Sequence, residues 1–409
     1  MKIPFSPPYI DEQIKKEVVD SLDSGWITTG PKVKELERQI EEFTKAPRVA
    51  CVNSWTSAAI LMLKWFGLKQ GDEVIIPAYT YAATALSVIH AGGTPVMVDV
   101  SDDFNISIAN IEKAITPKTK AIIPVDIAGW PCDYEALNNL VKAKANLFNV
   151  ESEVQSDLGR VLVISDAAHS LGAEYKGISS GGLTDVTIFS LHAVKNVTTA
   201  EGGAICLNLP QPFNNDELYS QLRCYSLNGQ TKDAFTKSKA GAWRYDIVYP
   251  GLKINMPDVL AAIGLGQLRV YGNQILPKRK EIFEFYSNYF GNKDWSILPP
   301  FKSGNTVSSC HLYALRVNGI SESQRDLIIE EISKTGVAVN VHFQPLPLLS
   351  LFKNLGYKIA SFPNAYEQYK NEISLPIYPQ LTEKELEYVC KSVSDAVEHV
   401  IELEPSLKL

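Results

Sequence analysis

The sequence predicts an α/β protein in which a large domain contains a seven-stranded, mainly parallel sheet and a smaller α+β domain follows. Short apolar runs alternate with helical patterns between residues 48 and 144, and three more apolar runs follow at 161–165, 186–191 and 203–208. After residue 210 the order of the patterns changes. Strands that alternate with helices are typical of βαβ units, whose sheet is buried on both faces. We therefore expect N-terminal helices and a large domain over 1–255 and a small domain over 256–409.

Composition excludes several classes of protein. The 409 residues are 45% hydrophobic and 21% charged, which is enough apolar material for a large core. The net charge is −7 and the chain has no basic run, so we expect no nucleic-acid partner. No segment reaches the roughly 18 apolar residues of a membrane span. The six cysteines are scattered without a CxxC pair, which predicts buried thiols, no metal site and a cytoplasmic location.

Two helices should precede the sheet. Apolar residues at helical spacing predict the first from Asp11 to about Asp23, and Pro31 suits the first position of the second. The predicted strands are 48–52, 73–77, 94–100, 121–126, 161–165, 186–191 and 203–208, with helices over 57–68, 81–91, 107–115 and 132–144. Residues 145–160 are polar and predict an extra surface loop.

The last 200 residues carry a different pattern. Helices are expected near 214–227 and 257–270, on either side of a polar, aromatic loop at about 229–250. A strand at 311–317 and a helix at 321–335 predict the smaller α+β domain. Thr382 and Glu385 have the spacing of a capping box, which marks the start of the final helix.

One acid and one lysine should meet at the ligand-binding edge of this sheet. The chain has neither GxGxxG after its first strand nor GxxxxGK[ST], so dinucleotide and P-loop sites lack their phosphate cradle. Asp166 stands at the carboxyl end of a predicted strand, where open α/β sheets bind ligands. Lys195 lies just past the next predicted strand, at the same edge.

This pairing matches the needs of pyridoxal phosphate, which takes a Schiff-base lysine and an acidic partner for its ring nitrogen. The lysine must act as a deprotonated amine and then carry a proton between two carbons. Hydroxyls and helix N-terminal N–H groups would bind the phosphate. The residues predicted for that part are Ser54, Thr56 and Ser57 at a strand-to-helix turn, together with Ser190. Tyr81 would stack on the ring.

Each of these residues also has an ordinary structural interpretation. Lys195 alone would be a solvated surface lysine, Asp166 a helix cap, and the Ser/Thr turn a capping signal. His169 would be a core histidine, although it can also point to the cofactor's 3-hydroxyl, and Tyr81 would simply pack. Their ordered combination favours the cofactor site.

The chain resembles the sugar aminotransferases of the DegT/DnrJ/StrS family, which are pyridoxal-phosphate enzymes with an aspartate-aminotransferase-like fold. The blocks DAAHSLGAEYKG (166–177) and FSLHAVKNVTTAEGGA (189–204) carry it, with further matches at 25–37, 71–100, 115–125 and 250–268. The resemblance implies Lys195 as the Schiff-base lysine, Asp166 as the pyridinium partner, His169 near the 3-hydroxyl, Tyr81 stacked on the ring, and Thr56, Ser57 and Ser190 as phosphate ligands.

The resemblance also implies a homodimer with shared active sites. In the family, the segment like GLKINMPD reaches the phosphate in the neighbouring subunit, which implies Asn255 or Lys253 in that role. Arg244, in the polar loop, and His342 are expected on the substrate side. This chain departs from the family pattern at Trp55, where the family usually has glycine. Such a side chain would narrow the phosphate pocket or shape the substrate mouth.

The activity that the resemblance implies is transfer of an amino group, from L-glutamate, to a keto-sugar nucleotide. Residues 192–203 are most similar to members that act on 4-keto-6-deoxy sugars, and amino-sugar synthesis for surface polysaccharide is the implied use. Pyridoxamine phosphate would form between the two half-reactions. The alternatives are a sugar dehydratase, in which histidine replaces the lysine, and a non-enzymatic sensor with the same fold. Lys195 disfavours the dehydratase, and the Asp166–Lys195 pair disfavours the sensor.

Overall fold

A seven-stranded sheet is the centre of the larger part of the computed structural model, which describes residues 1–232 and 243–407. Part of the predicted loop at 229–250 therefore lies outside the described residues. The strands are β1 Arg48–Val52, β2 Glu73–Pro77, β3 Thr94–Val98, β4 Thr119–Ile122, β5 Leu162–Asp166, β6 Glu174–Tyr175, β7 Ile178–Ser179, β8 Val186–Ser190, β9 Gly203–Leu207, β10 Ser296–Ile297, β11 Lys302–Ser303, β12 Thr306–Val307, β13 Tyr313–Val317 and β14 Glu372–Leu375.

Most helices of the described residues occupy the positions that the periodicity predicts, and the additions are α7 and two short helices, α12 and α13, in the C-terminal part. They are α1 Glu12–Asp23, α2 Pro31–Thr44, α3 Trp55–Trp65, α4 Ala82–Ala91, α5 Ile108–Ala114, α6 Tyr134–Ala143, α7 Glu153–Leu158, α8 Asn215–Tyr225, α9 Asp258–Val270, α10 Leu276–Phe290, α11 Glu322–Lys334, α12 Ser350–Asn354, α13 Pro363–Tyr369 and α14 Glu383–Leu407. A π-helical turn, Tyr271–Ile275, joins α9 to α10.

The sheet confirms the predicted fold class. Its strand order is β1-β9-β8-β5-β4-β2-β3. β9 is antiparallel to both neighbours, whereas the other six strands share one direction. The carboxyl ends of β5 and β8 therefore meet at one edge, where Asp166 pairs with Ile188. Helices on both faces bury the apolar strands, and α1 and α2 pack against α9.

The expected surface loop at 145–160 is only partly a loop. The short helix α7 forms there because Ser152 caps it, with its hydroxyl accepting a hydrogen bond from the Gln155 N–H. The Gln155 side chain is buried and its amide donates to the Phe66 carbonyl over 3.0 Å. A polar side chain that satisfies the end of α3 thus anchors this segment, which hydropathy alone does not reveal.

A second, antiparallel sheet of order β10-β13-β14 lies in the C-terminal part of the chain, packed with α10, α11 and α14. The predicted capping box is present, since the Thr382 N–H donates to the Glu385 carboxylate over 2.9 Å and the Glu385 N–H to Thr382 Oγ1 over 3.4 Å. The boundary at residue 255 stays a prediction. Among the described residues, no helix combines the length and the apolar character that crossing a membrane requires.

Candidate active site

A cleft of about 490 Å³ opens at the edge where β5 and β8 end. Most of the predicted site residues line it: Thr56, Tyr81, Asp166, His169, Ser190, Lys195 and His342. Four of them do not, namely Ser57, Arg244, Lys253 and Asn255. The fold therefore brings together predicted residues from five separate segments of the chain.

Asp166 lies at the base of the cleft and is 5% exposed. Its Oδ2 accepts a hydrogen bond of 2.9 Å from the Thr84 hydroxyl, and Oδ1 accepts one of 3.3 Å from the Ala168 N–H. Burial raises the pKa of this carboxyl to about 7, while the Thr84 bond and the charge of Lys195 act in the opposite direction. The group therefore titrates near neutral pH.

Lys195 enters the same cleft from the turn after β8, where its N–H donates to the His192 carbonyl over 2.9 Å. Burial lowers the pKa of its ammonium to about 8, and the charge of Asp166 partly offsets this effect. At that pKa about a tenth of the amine is uncharged at pH 7. A buried amine that is partly deprotonated is the form needed for nucleophilic attack on a carbonyl.

His169 is held as a neutral ring with a defined tautomer. Its Nδ1 accepts a 3.2 Å hydrogen bond from the Ala128 N–H, so the proton resides on Nε2. Burial and the charge of Lys195 keep the pKa of the imidazole well below its usual range. The ring stacks on Phe343 at 5.7 Å and lies 4.4 Å from the ring of His311. His169 therefore offers a fixed N–H donor in the cleft.

The N-terminus of α3 forms another wall of the cleft. Ser54 caps this helix, and its hydroxyl oxygen accepts from the Ser57 N–H over 3.1 Å. The Ser57 hydroxyl lies 2.9 Å from that of Ser54, which accounts for its absence from the cleft lining. A Cβ on Gly203 would lie 2.6 Å from the backbone of Ser54, so only glycine permits β9 to approach this turn. Thr56 and the N-terminal N–H groups provide donors for an anion.

Trp55 lines the cleft, but its indole is largely buried. It is 5% exposed and packs in the large core, with Nε1 donating to the Ile188 carbonyl over 3.1 Å. The same carbonyl accepts from the Ala167 N–H over 3.0 Å, next to Asp166 in sequence. Trp55 therefore links the first turn of α3 to the strand beside the acid, and its effect on the phosphate pocket or the substrate mouth stays a prediction.

Aromatic residues from distant parts of the chain, Phe5, Tyr81 and Phe343, line the cleft together. Phe5 stacks on His342 with ring centroids 5.4 Å apart, and Phe343 lies 5.8 Å from Tyr81. Tyr81 itself is 64% exposed. Backbone pairing of Ile3 with Val337 brings the N-terminal segment here.

Sequence reasoning missed Thr84, His311, Phe5 and Phe343. Only Thr84 had a usable signal, because it follows Tyr81 by one turn of a predicted helix and so shares its face.

Three of the four predicted residues that do not line the cleft, Asn255, Lys253 and Arg244, lie in other surroundings. Asn255 Nδ2 donates to the Thr29 hydroxyl over 2.6 Å, beside a separate hollow of about 160 Å³. Lys253 is exposed, and its backbone pairs with Leu227. Arg244 is exposed, with its guanidinium 5.1 Å from the centre of the Trp243 ring.

Comparisons with known proteins agree with this geometry. The model of the DegT/DnrJ/EryC1/StrS aminotransferase family matches residues 8–394. The spore coat polysaccharide biosynthesis protein SpsC of Bacillus subtilis is 35% identical over 402 residues, which cover 97% of each chain. The UDP-4-amino-4-deoxy-L-arabinose–oxoglutarate aminotransferase of Shewanella sediminis is 34% identical over 406 residues, covering 97% of this chain and 98% of its own.

Solved structures extend the similarity to the fold. Spr1654 of Streptococcus pneumoniae, which is assigned as a sugar aminotransferase, has a structure in its PLP form with a TM-score of 0.93 and 44% identity. That comparison covers 98% of this chain and all of the other. Its PMP form gives a TM-score of 0.94 and 46% identity with the same coverage. The resemblance predicted from the sequence is confirmed.

Proposed function

Because the chain belongs to the DegT/DnrJ/EryC1/StrS aminotransferase family and is a pyridoxal-phosphate-dependent transaminase, we propose that it moves an amino group from L-glutamate to a keto-sugar nucleotide. The proposal favours a 4-keto-6-deoxy sugar and a role in amino-sugar synthesis for a surface polysaccharide. The observation that carries it is the single cleft in which Asp166, Lys195 and His169 converge. We place the enzyme in the cytoplasm, and the six free cysteines support this location.

The residues of the cleft fit the cofactor at each of its functional groups. Asp166 offers a buried carboxylate for the ring nitrogen, His169 an Nε2–H donor for the 3-hydroxyl, and Lys195 an amine for the aldehyde. The N-terminus of α3, with Thr56 and Ser190, offers donors for the phosphate. When bound, the cofactor supplies an electron sink for the carbon that gains or loses the amino group.

The chain's own residues hold and move the protons of this chemistry. Asp166 in its charged form favours a protonated ring nitrogen, and the Thr84 hydroxyl at 2.9 Å orients that carboxylate. Lys195 would be the base for the reacting carbon, because its lowered pKa leaves part of it uncharged near neutral pH. Phe5 and Phe343 give part of the cleft an apolar lining, which would limit the access of water to a bound substrate there.

The relatives support the substrate class. The name of the Shewanella enzyme pairs a 4-amino-4-deoxy sugar nucleotide with oxoglutarate, the keto acid that L-glutamate becomes on losing its amino group. SpsC is named for polysaccharide biosynthesis. His342 and Tyr81 line the same cleft as Lys195 and would contact the sugar.

The test is a screen of the pyridoxamine form of the purified enzyme against nucleotide-linked 3-keto and 4-keto sugars. We expect an amino sugar for at least one 4-keto-6-deoxy substrate, with one 2-oxoglutarate formed per amino sugar when L-glutamate is added. Lys195→Ala is the matched control, and it should fold but give no turnover. A deoxygenated product without consumption of glutamate would instead establish the dehydratase, and turnover by Lys195→Ala would refute the site.

We also propose that two subunits form a homodimer and share their active sites. Exposed apolar side chains near the polar loop support this proposal: Trp243, Tyr245, Ile247 and Val248. Asn255 lies beside a hollow that Arg223 and Lys232 also line, and these side chains offer N–H donors there, although Arg223 is also ion-paired with Glu37 over 3.1 Å. An anion that bridges two subunits would find its donors there.

Mixed dimers test this arrangement. Lys195→Ala subunits are combined with subunits that carry Lys253→Ala and Asn255→Ala. If these groups act across the interface, each mixed dimer regains one intact site and measurable activity. Mixed dimers that form but stay inactive would contradict sharing, and a fully active monomer would exclude it.

A further inference from the structure

Glu372 is a buried acid that has no role in the transaminase chemistry of Asp166 and Lys195. It lies in β14 and its side chain has no solvent exposure. An unneeded carboxylate at such a position would be costly, because burial removes its hydration. Its hydrogen bonds indicate a function, because they connect it, directly or through Ser374, to His342, which lines the cleft.

Both oxygens of Glu372 engage the His342 region. Oε2 accepts a 2.9 Å hydrogen bond from the His342 backbone N–H. Oε1 lies 2.5 Å from the Ser374 hydroxyl, which in turn lies 2.9 Å from His342 Nδ1. Carboxyl, hydroxyl and imidazole thus form one continuous chain of hydrogen bonds, whose last nitrogen, Nε2, is left for a ligand.

The single hydroxyl hydrogen of Ser374 makes this chain bistable. When Glu372 is charged, Ser374 donates to it and accepts from Nδ1–H, so that Nε2 of His342 is an acceptor. When Glu372 is neutral, its own O–H donates to Ser374, which then donates to Nδ1. In that arrangement Nε2 carries the proton and is a donor.

The surrounding charges let Glu372 reach both states near physiological pH. Burial raises the pKa of its carboxyl to about 8, while Arg325 and Arg316, which lies directly opposite Glu372 on β13, act against this rise. Tyr79 donates its hydroxyl hydrogen to the His342 carbonyl over 2.8 Å. Burial and the charge of Lys195 lower the pKa of the His342 ring to about 4, so the ring itself stays neutral.

We propose that Glu372 is a positioning residue which, through Ser374, decides whether the His342 ring donates or accepts the hydrogen bond that it makes to a keto-sugar in the cleft. The sugar part of this proposal rests on the proposed function, whereas the control of the tautomer does not. The 2.9 Å contact between Nδ1 and the Ser374 hydroxyl fixes which way the ring faces, with Phe5 stacked on it, so the tautomer is the variable. A neutral imidazole can donate to the carbonyl of a sugar or accept from one of its hydroxyls, whereas a carboxylate anion can only accept.

Glu372→Gln is the sharpest perturbation, because its amide copies the neutral acid. The carbonyl oxygen can accept from the His342 N–H while the NH₂ group donates to Ser374. This variant should therefore hold His342 with its proton on Nε2 at every pH. Ser374→Ala breaks the chain, and Ser374→Thr retains the hydroxyl and should behave as the wild type does.

Nitrogen-15 NMR of histidine-labelled holoenzyme reads the tautomer directly. The chain has six histidines, and His342→Gln identifies the signals of interest. We expect wild-type His342 to carry its proton on Nδ1 at pH 9 and to shift toward Nε2–H at pH 7, whereas Glu372→Gln shows Nε2–H at both. Ser374→Ala should lose the pH dependence, which tests the proposal should Glu372→Gln fail to fold. Identical tautomers in wild type and Glu372→Gln at pH 9, or a pH response that survives Ser374→Ala, would overturn it.

Steady-state kinetics test the sugar contact separately. The probes are dTDP-4-keto-6-deoxyglucose and its UDP counterpart. The KM for each sugar is divided by the KM for L-glutamate to give a relative KM. We expect the relative KM of the wild type for the sugar to rise about threefold to tenfold from pH 7 to pH 9, the effect of one lost hydrogen bond. Glu372→Gln should keep its pH 7 value. A shifted tautomer with an unchanged relative KM would refute the sugar contact, and failure of both sugars to react would count against the proposed function only.

Discussion

Replacement of Trp55 by alanine should cost a large part of the folding free energy although the residue borders the active site. The indole is 5% exposed and packs in the core cluster of the large sheet. Burial of about 200 Å² of aromatic surface at about 25 cal/mol per Å² corresponds to about 5 kcal/mol. Partial collapse of the cavity reduces this value, so we expect Trp55→Ala to lower the free energy of unfolding by about 3–5 kcal/mol.

Trp55→Phe tests how much the indole hydrogen bond, as distinct from its packing, contributes to the free energy of unfolding. It removes the 3.1 Å bond to the Ile188 carbonyl, which keeps its 3.0 Å bond from the Ala167 N–H. Because that carbonyl is not left unsatisfied, the loss from the hydrogen bond should be about 1 kcal/mol. The measurement is urea unfolding of the apoenzyme followed by far-UV circular dichroism, which does not depend on tryptophan fluorescence.

Leu355, which lies outside the cleft and outside the segment proposed for the dimer interface, provides the exposed control for this prediction. It is 54% exposed, so Leu355→Ala removes an apolar side chain without a buried cavity and should alter stability by less than about 0.5 kcal/mol. If Trp55→Ala costs no more than Leu355→Ala, the indole does not support the core. The departure from the family's usual glycine at position 55 would then need an explanation in the substrate mouth.

Three further changes test the environment of Asp166 and the turn at Ser54. Thr84→Val removes the 2.9 Å bond to the carboxylate and should lower kcat about tenfold and weaken cofactor binding measured by fluorescence, with Thr84→Ser restoring both. In the apoenzyme, the pKa of Asp166 is about 7, which is above its value of 3.8 in the unfolded chain. The contribution of Asp166 to the free energy of unfolding is therefore fully present below pH 4 and is lost as the pH rises to 7. Asp166→Asn should remove this part of the decline in stability, measured by urea unfolding. Gly203→Ala, whose Cβ meets the Ser54 backbone, should cost about 1–3 kcal/mol in the same assay, whereas the less crowded Gly182→Ala should be nearly neutral.

The sequence predicted the large sheet well because each strand is a short apolar run buried on both faces. Observed bounds such as Arg48–Val52 and Glu73–Pro77 coincide with those runs. The two-residue strands β6, β7, β10, β11 and β12 escaped prediction, since two residues carry no measurable periodicity. The helix α7 escaped it because a buried glutamine, rather than an apolar stripe, anchors the segment.

The candidate site was likewise only partly predictable from the sequence. Asp166 and Lys195 could be placed from the sequence because strand ends of a parallel sheet converge at one edge. Phe5 and the chain from Glu372 to His342 could not, because their positions depend on pairings between distant segments, such as Ile3 with Val337 and Asn340 with Ser374. The direction of the Trp55 indole depends on its rotamer, which local sequence does not determine.

Burial moves the pKa values of the acid and the amine at the base of the cleft into the same range. It raises the pKa of the Asp166 carboxyl to about 7 and lowers that of Lys195 to about 8, so neither group is firmly charged near neutrality. If both were exposed, Lys195 would stay protonated and could not attack a carbonyl. If the pair were instead a tight ion pair, the amine would again be locked as an ammonium. The depth of the cleft, together with the Thr84 hydroxyl that holds the carboxylate, therefore determines the reactivity of this pair more than either residue does alone.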